Sequence, residues 1–175
     1  MSQGPWETPR LLLRHFTLDD GEFVLRLLNE PSFHEYIGDK GVRTLEGAHG
    51  YLSSGPIASS YATHGHGLNL VVLRETAAPI GMCGLLKRDT LEAPDIGYAF
   101  VPEAWGVGYA LEAASAILES AWRDFGDARV LAITNAQNDP SQRLLLKLGF
   151  VEEAPRVLQE GAPPVRTFGI NRPTD

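Results

Sequence analysis

The sequence has little of what marks a secreted, membrane-spanning or nucleic-acid-binding protein. A single cysteine excludes an internal disulfide, the opening residues MSQGPWETPR contain no apolar signal core, and no apolar run approaches membrane-spanning length. Fifteen basic against 22 acidic residues give a net charge of −7, which argues against sequence-independent nucleic-acid binding. We therefore predict a cytoplasmic protein without a membrane or nucleic-acid partner. The acidic excess favours a cationic or amine substrate.

Length and composition bound the domain organisation. With 175 residues, 43% of them hydrophobic and 21% charged, the chain can bury a full core without a metal or a disulfide. No internal repeat or low-complexity segment divides it. We predict one domain over residues 1–175, with its core over 5–171.

Hydrophobic periodicity predicts strands alternating with helices. Strands are expected at 10–14, 68–74, 79–86, 95–101, 130–134, 150–158 and 165–170. Helices are expected from caps at 17–20 to about 29, then at 108–125 and 140–148, and Thr44 is a candidate cap for a short helix containing Leu45 and Leu52. Pro31 should stop the first helix, and the segment 53–56 should interrupt the short one. This order predicts a mixed α/β sheet.

The most informative segment is WGVGYALEAA, from Trp105 to Ala114. Gly106 and Gly108 join a predicted strand to a predicted helix, an order that leaves unpaired N–H groups at a helix N-terminus and favours bound phosphate. Leu111 stands where a dinucleotide-binding loop needs its third glycine, and the chain contains no Gly-Lys-Ser/Thr of a nucleoside-triphosphatase loop. Both common phosphate loops are therefore excluded.

The pattern Trp105-x-x-Gly108-x-Ala110 resembles the pyrophosphate loop of the GNAT superfamily of N-acetyltransferases, Gln/Arg-x-x-Gly-x-Gly/Ala, with a departure at Trp105. The longer string 102–113 looks like the RimJ/RimL-type branch, which acetylates N-terminal amines of ribosomal proteins and includes enzymes for other amines. A second segment, N-x-x-S-x-R-x-L-x-K-L-G-F over 138–150, is similar to the family's second cofactor segment. Two motifs in the right order are more specific than either alone.

This resemblance implies a central, mostly antiparallel sheet flanked by about four helices and splayed between its fourth and fifth strands, with acetyl-coenzyme A in the opening. Backbone groups of the fourth strand would face the pantetheine arm, and the amides of 106–110 would hold the pyrophosphate. The implied cofactor-binding residues are Phe100, Val101, Trp105, Gly106, Val107, Gly108, Tyr109, Ala110, Asn138, Ser141, Arg143 and Lys147.

Several of these residues have an ordinary structural alternative. Arg143 and Lys147 would approach the ribose phosphate or simply form a solvated basic face that complements the helix dipole. Asn138 would orient the cofactor or only cap a helix. The aromatic residues Trp105 and Tyr109 would line the cleft or pack at the helix entry.

Two residues are candidates for the chemistry. The resemblance makes Ser141 the partner of the thiol, since RimL-type enzymes place a serine there, although it could instead bond within the first helical turn. Asp95 heads the strand from which family members recruit a carboxylate base through water. Glu103 and Glu112 are alternatives, and each of the three acids could be only a solvated charge or a helix-start residue.

Two further patterns indicate ordinary structural roles. His64 and His66 have no third ligand at useful spacing, so no metal site is expected, and Cys83 lies in an apolar strand as a core residue.

The expected activity is transfer of acetyl from acetyl-coenzyme A to a primary amine by direct attack in a ternary complex. A protein N-terminal amine is the leading acceptor. The alternatives are a small amine (a polyamine, an amino acid or an antibiotic) and, from another class, a non-catalytic acyl-coenzyme A-binding module. The late hairpin carries Pro163 and Pro164 where the branch often has an acid, and its nearest acid is Glu160, which leaves the substrate class open. The resemblance also allows a homodimer, although the sequence shows no self-complementary stripe.

Overall fold

An eight-stranded sheet organises the chain in the computed structural model, which describes residues 4–61 and 65–175. The strands are β1 Trp6–Glu7, β2 Leu11–Arg14, β3 Leu68–Leu73, β4 Pro79–Leu86, β5 Asp95–Phe100, β6 Arg129–Thr134, β7 Val151–Arg156 and β8 Val165–Asn171. Their order across the sheet is β1-β2-β3-β4-β5-β6-β8-β7, and β5–β6 is the parallel pair. The predicted strands are confirmed, with β1 as an addition that sequence periodicity did not indicate. His64 lies outside the described residues.

The sheet opens between β5 and β6. Asp95 lies opposite Leu131 in the one ladder pair that joins the two strands in the described part of the chain, and the Leu131 N–H donates to the Pro94 carbonyl at 2.9 Å. Beyond this pair the strands diverge toward their carboxyl ends. They are the fourth and fifth of the strands predicted from the sequence, so the expected splay is confirmed.

Five α-helices flank the sheet in the described residues: α1 Gly21–Leu28, α2 Pro31–Tyr36, α3 Leu45–Leu52, α4 Tyr109–Arg123 and α5 Asp139–Lys147. The short helix behind Thr44 is confirmed, because the Thr44 hydroxyl accepts the Gly47 N–H at 3.0 Å. The prediction for Pro31 was incomplete. It follows the end of α1 but also occupies the first turn of α2, where a missing N–H is harmless.

Helix α3 ends at Leu52, in agreement with the predicted interruption at 53–56, but the chain stays helical beyond it. The chain continues from α3 into a π-helical segment, Ser53–Tyr61, with Pro56 inside it. A proline ring clashes with the preceding turn of an α-helix, and the wider π-helical turn gives it room.

The two helices that matter for the site, α4 and α5, each begin just beyond the carboxyl end of a diverging strand. Helix α4 packs across β2, β4 and β5 and buries Ala113, Ala114, Ile117, Leu118 and Ala121, while Leu111 of the predicted apolar face is 36% exposed. Burying a side chain of the size of Ile117 contributes about 1.5–3 kcal/mol. Helix α5 packs on β6. Both helix N-termini are thus fixed at the open end of the sheet.

Candidate active site

The loop before α4 has the backbone geometry of an anion-binding turn. Gly106 and Gly108 have φ of +79° and +86°, in the left-handed region that favours glycine. Gly108 is the N-cap, and the first intrahelical bond runs from the Glu112 N–H to the Gly108 carbonyl at 3.1 Å. The preceding amides of the first turn therefore have no partner within the helix. Together with the helix dipole they suit a phosphate group.

Arg10 holds this loop from the start of β2, a contact that the sequence did not reveal. Its guanidinium donates to the Val107 carbonyl at 2.9 Å, lies 4.5 Å from the centre of the Tyr109 ring and forms an ion pair with Glu112 at 3.4 Å. Arg10 therefore ties the loop to the first turns of α4. Glu112, one of the three acids considered as a base, takes part in this structural contact.

Of Phe100 and Val101, whose backbone groups were expected at the open edge of β5, the structure places Phe100 there but not Val101. The Val101 N–H donates to the Ile80 carbonyl at 3.0 Å and the Val101 carbonyl accepts the Ala104 N–H at 2.9 Å, so neither group faces the gap. Alternate residues of a strand direct their backbone groups to opposite edges, which assigns those of Tyr98 and Phe100 to the open side. The expectation for the Val101 backbone was wrong for this reason.

The indole of Trp105 folds back onto this edge. Its Nε1 donates to the Phe100 carbonyl at 2.9 Å, while the side chain stays exposed. The first position of the loop motif therefore contacts the strand end through this hydrogen bond. Trp105 links the loop to β5.

Ser141 lies in the first turn of α5 and contacts a residue that the sequence reasoning missed. Its Oγ is 2.7 Å from the hydroxyl oxygen of Tyr98, and that oxygen is also 3.3 Å from the Ser141 carbonyl oxygen. Burial raises the pKa of Tyr98, so its hydroxyl stays protonated. Asn138 caps the helix by accepting the Ser141 N–H at 3.2 Å, the structural role that the sequence allowed for it. The pair Tyr98–Ser141 thus bridges the two sides of the split.

A cleft of about 750 Å³ extends from the split toward the Asp95 end of β5, away from the glycine loop. Asp95, Tyr98, Asn138 and Ser141 all line it, whereas the residues 105–110 lie outside its lining. Its lining also includes Tyr36 and Ile37 at the end of α2, Tyr51 of α3, and Pro163, Pro164 and Val165 where the β7–β8 connection enters β8. The structure therefore gathers both predicted catalytic residues, Ser141 and Asp95, in one cleft.

Asp95 is the one acidic residue in this lining, within the part of the chain that the structure describes. Its side chain is 2% exposed, and one carboxylate oxygen accepts from the Arg88 Nε at 2.9 Å. Burial raises the pKa of Asp95, and the interaction with Arg88 opposes this effect. The alternative base Glu103 lies on the surface in an ion pair with Arg26.

The remaining predicted residues have simpler surroundings. Arg143 and Lys147 are exposed on α5, and the described residues provide no carboxylate partner for either. Cys83 is fully buried, as predicted, and burial raises its pKa. His66 pairs with Asp127 at 3.1 Å. Over residues 4–61 and 65–175 no group of side chains could hold a metal ion, and no helix there is long and apolar enough to cross a membrane.

Residues 10–151 match the acetyltransferase (GNAT) domain family. The uncharacterized N-acetyltransferase YnaD of Bacillus subtilis is 31% identical over 148 residues, which cover 83% of this chain and 82% of YnaD. The solved acetyltransferase of Agrobacterium tumefaciens superposes with a TM-score of 0.80 at 22% identity, covering 98% of this chain and 96% of that one. RimL, a ribosomal L7/L12 α-N-protein acetyltransferase in complex with coenzyme A, superposes with a TM-score of 0.80 at 14% identity, with 95% and 97% coverage.

The chain belongs to the GNAT family of acetyltransferases. It is an acyl-coenzyme A-dependent N-acetyltransferase, and its cofactor is acetyl-coenzyme A. The site fits this molecule on its own geometry. The amides before α4 suit the pyrophosphate, and an atom added at Gly106 would meet open space. Beyond Asp95 the open edge of β5 has no neighbouring strand among the described residues, and the Phe100 carbonyl there accepts the Trp105 indole; the remaining backbone groups of Tyr98 and Phe100 suit the extended pantetheine arm.

Proposed function

We propose that the acceptor is the α-amino group of a protein N-terminus. The supporting observation is the scarcity of carboxylates that could accept a proton: in the described residues Asp95 is the one carboxylate of the cleft lining, and it is held by Arg88. An α-amine with a pKa near 8 is roughly a tenth neutral at pH 7, whereas a lysine amine near 10.4 is neutral in about one molecule in a few thousand. A cleft with a single ion-paired carboxylate therefore suits the amine that needs the least help.

In this proposal the chain's residues divide the proton transfers between them. Bound acetyl-coenzyme A supplies the acetyl group as a thioester. Asp95 accepts the amine's proton through water, and the burial that raises its pKa brings that pKa closer to the working pH, as general-base catalysis requires. As the amine nitrogen bonds to the acetyl carbon and the bond from that carbon to sulfur breaks, Ser141 Oγ would give its proton to the departing thiolate and regain one from water. Tyr98, protonated and 2.7 Å away, orients the Ser141 hydroxyl.

The remaining proposed roles are binding roles. The amides of 106–110 hold the pyrophosphate, the backbone of Phe100 faces the pantetheine arm, and Asn138 fixes the turn that carries Ser141. The exposed cations Arg143 and Lys147 approach the ribose phosphate. Small-amine acetylation would use the same groups, so the acceptor has to be tested directly.

The test compares two peptides of one sequence containing an internal lysine, one with a free N-terminus and one with an acetylated N-terminus. Thiol release from acetyl-coenzyme A is measured for both, alongside a polyamine, an amino acid and an aminoglycoside. We expect kcat/KM for the free N-terminus to exceed that of every other amine, with an apparent pKa near 8 that belongs to the substrate amine. Equal or faster turnover of the blocked peptide or of a small amine would contradict the proposal.

A further inference from the structure

The charges that line the acceptor cleft have the opposite sign to the chain as a whole. The net charge is −7, yet the charged residues in the cleft lining are Lys40, Lys87 and Arg88 against the single acid Asp95. Lys40 follows α2, while Lys87 and Arg88 follow the end of β4. Three cations from two separate parts of the chain thus converge on one opening.

Lys40 and Lys87 are also free of acidic partners in the described part of the chain, unlike most of the arginines. Nearly every arginine forms an ion pair with a carboxylate, and Arg88 is occupied by Asp95. Within the described ranges, the basic residues without such a partner are Lys40, Lys87, Arg143, Lys147 and Arg172. Two of these five line the cleft. On an acidic protein, uncompensated positive charge in a cleft is available for a ligand.

These lysines lie at the wrong end of the site to bind the cofactor's pyrophosphate. Leu86, which precedes Lys87, pairs with Asp95 at the start of β5, whereas the glycine loop follows the other end of that strand. A strand of six residues spans about 20 Å. The lysines therefore face whatever enters the cleft from the acceptor side.

We infer that the acceptor carries negative charge beside its amine: the preferred substrate is a peptide N-terminus followed by acidic residues, whose carboxylates contact Lys40 and Lys87. This inference rests on the N-terminal acceptor proposed above. A carboxylate two or three residues behind the amine meets the lysines at the mouth, while the amine reaches Asp95 inside. The same lysines repel a polyamine.

The test uses three peptides with the same first residue, followed by three glutamates, three glutamines or three arginines. Arginine replaces lysine so that no second acceptor amine is present. Binding in the presence of coenzyme A and kcat/KM by thiol release are measured at low and high salt. The variants are Lys40→Gln, Lys87→Gln, the double glutamine variant and the double glutamate variant. Arg172→Gln, which removes an unpaired charge from the exposed end of the chain, is the matched control.

We expect the wild type to prefer the acidic peptide over the neutral one by about tenfold, and the preference to shrink with salt. Each glutamine substitution raises KM for the acidic peptide by about two- to fivefold and leaves kcat and the neutral peptide unchanged. The double glutamate variant prefers the arginine peptide, and Arg172→Gln behaves as the wild type. Equal binding of the three peptides by the wild type, or an unchanged preference in both double variants, would overturn the inference.

The proposal of an N-terminal acceptor can be refuted while the proposed preference for a negatively charged acceptor still holds. If small amines are acetylated and no peptide is, the same variants are compared on glutamate and glutamine as free amino acids. A preference for glutamate that disappears in the double glutamine variant keeps the charge inference for a small acceptor. Equal turnover of the two amino acids refutes it.

Discussion

Replacing Ser141 by alanine is the sharpest test of the proposed chemistry, because the structure separates its catalytic contribution from its structural one. The helix cap uses the Ser141 N–H, which alanine retains. The hydroxyl makes one short contact, 2.7 Å to Tyr98, and the tyrosine keeps the Ser141 carbonyl as an acceptor at 3.3 Å. The loss is therefore that of one ordinary hydrogen bond, about 0.5–1.5 kcal/mol of folding stability.

The expected loss of turnover is far larger than this structural effect. A positioned proton donor typically contributes about 10²–10⁴-fold to the rate. We therefore expect kcat of Ser141→Ala to fall at least about 100-fold with a saturating N-terminal peptide, while the Kd for coenzyme A changes by less than about twofold. Thiol release gives kcat, calorimetric titration gives Kd, and a thermal melt checks that the variant is folded.

Tyr98→Phe is the matched partner variant, since it removes the other hydroxyl of the same hydrogen bond. If Tyr98 orients Ser141, its loss should lower kcat by about tenfold, and the double variant should be no slower than Ser141→Ala alone. A kcat within about threefold of wild type for Ser141→Ala would refute the assignment. Additive losses in the double variant would assign Tyr98 a role independent of Ser141.

Three further changes test the loop, the base and the acid response. Gly108→Ala places a side chain at φ +86°, 3.4 Å from the Arg10 guanidinium. We expect the backbone strain of about 1–2 kcal/mol to weaken coenzyme A binding roughly tenfold. An unchanged Kd by calorimetry would contradict this. Asp95→Asn should lower kcat about 100-fold on N-terminal peptides at pH 7, and thiol release at the wild-type rate would exclude Asp95 as the base. Burial opposes ionisation of Asp20, but hydrogen bonds from Arg14 hold the pKa of Asp20 below its usual value. The ionised Asp20 therefore stabilises the folded chain above about pH 4, and this contribution is lost as the pH falls through the folded pKa. Denaturant melts should therefore show Asp20→Asn less stable than wild type by about 1.5–3 kcal/mol at pH 7, with the difference shrinking as the pH is lowered below about 4. A difference that does not change with pH would contradict this.

What the sequence predicted well are features that a short window of residues determines. The glycines at 106 and 108 are needed for positive φ, and the apolar face of α4 repeats at helical spacing behind them. The strands around the split are short apolar runs bounded by turns. The fold and the backbone conformation of the glycine loop therefore followed from local pattern together with the resemblance of two motifs.

The contacts that complete the site are not local, and this is why the sequence did not reveal them. Tyr98 and Ser141 are 43 residues apart, and Arg10 meets Val107 across 97 residues. A lone tyrosine in a strand or an arginine at a strand's start has many equally good partners until the sheet order is known. The side of β5 to which the Val101 N–H points also depends on its pairing with β4, and hydrophobic periodicity alone does not predict that pairing.

Composition and fold lead to different expectations for the charge of the substrate. A net charge of −7 favours a cationic substrate if the charges are spread evenly over the surface. In the folded chain most arginines form ion pairs with nearby carboxylates. The electrostatic field at the cleft therefore depends on the charged groups there that have no such partner. Lys40 and Lys87 are left unpaired, whereas Asp95 is not. Because the sign at the mouth depends on which ion pairs the fold creates, an acidic protein can present a basic entrance to an acidic substrate.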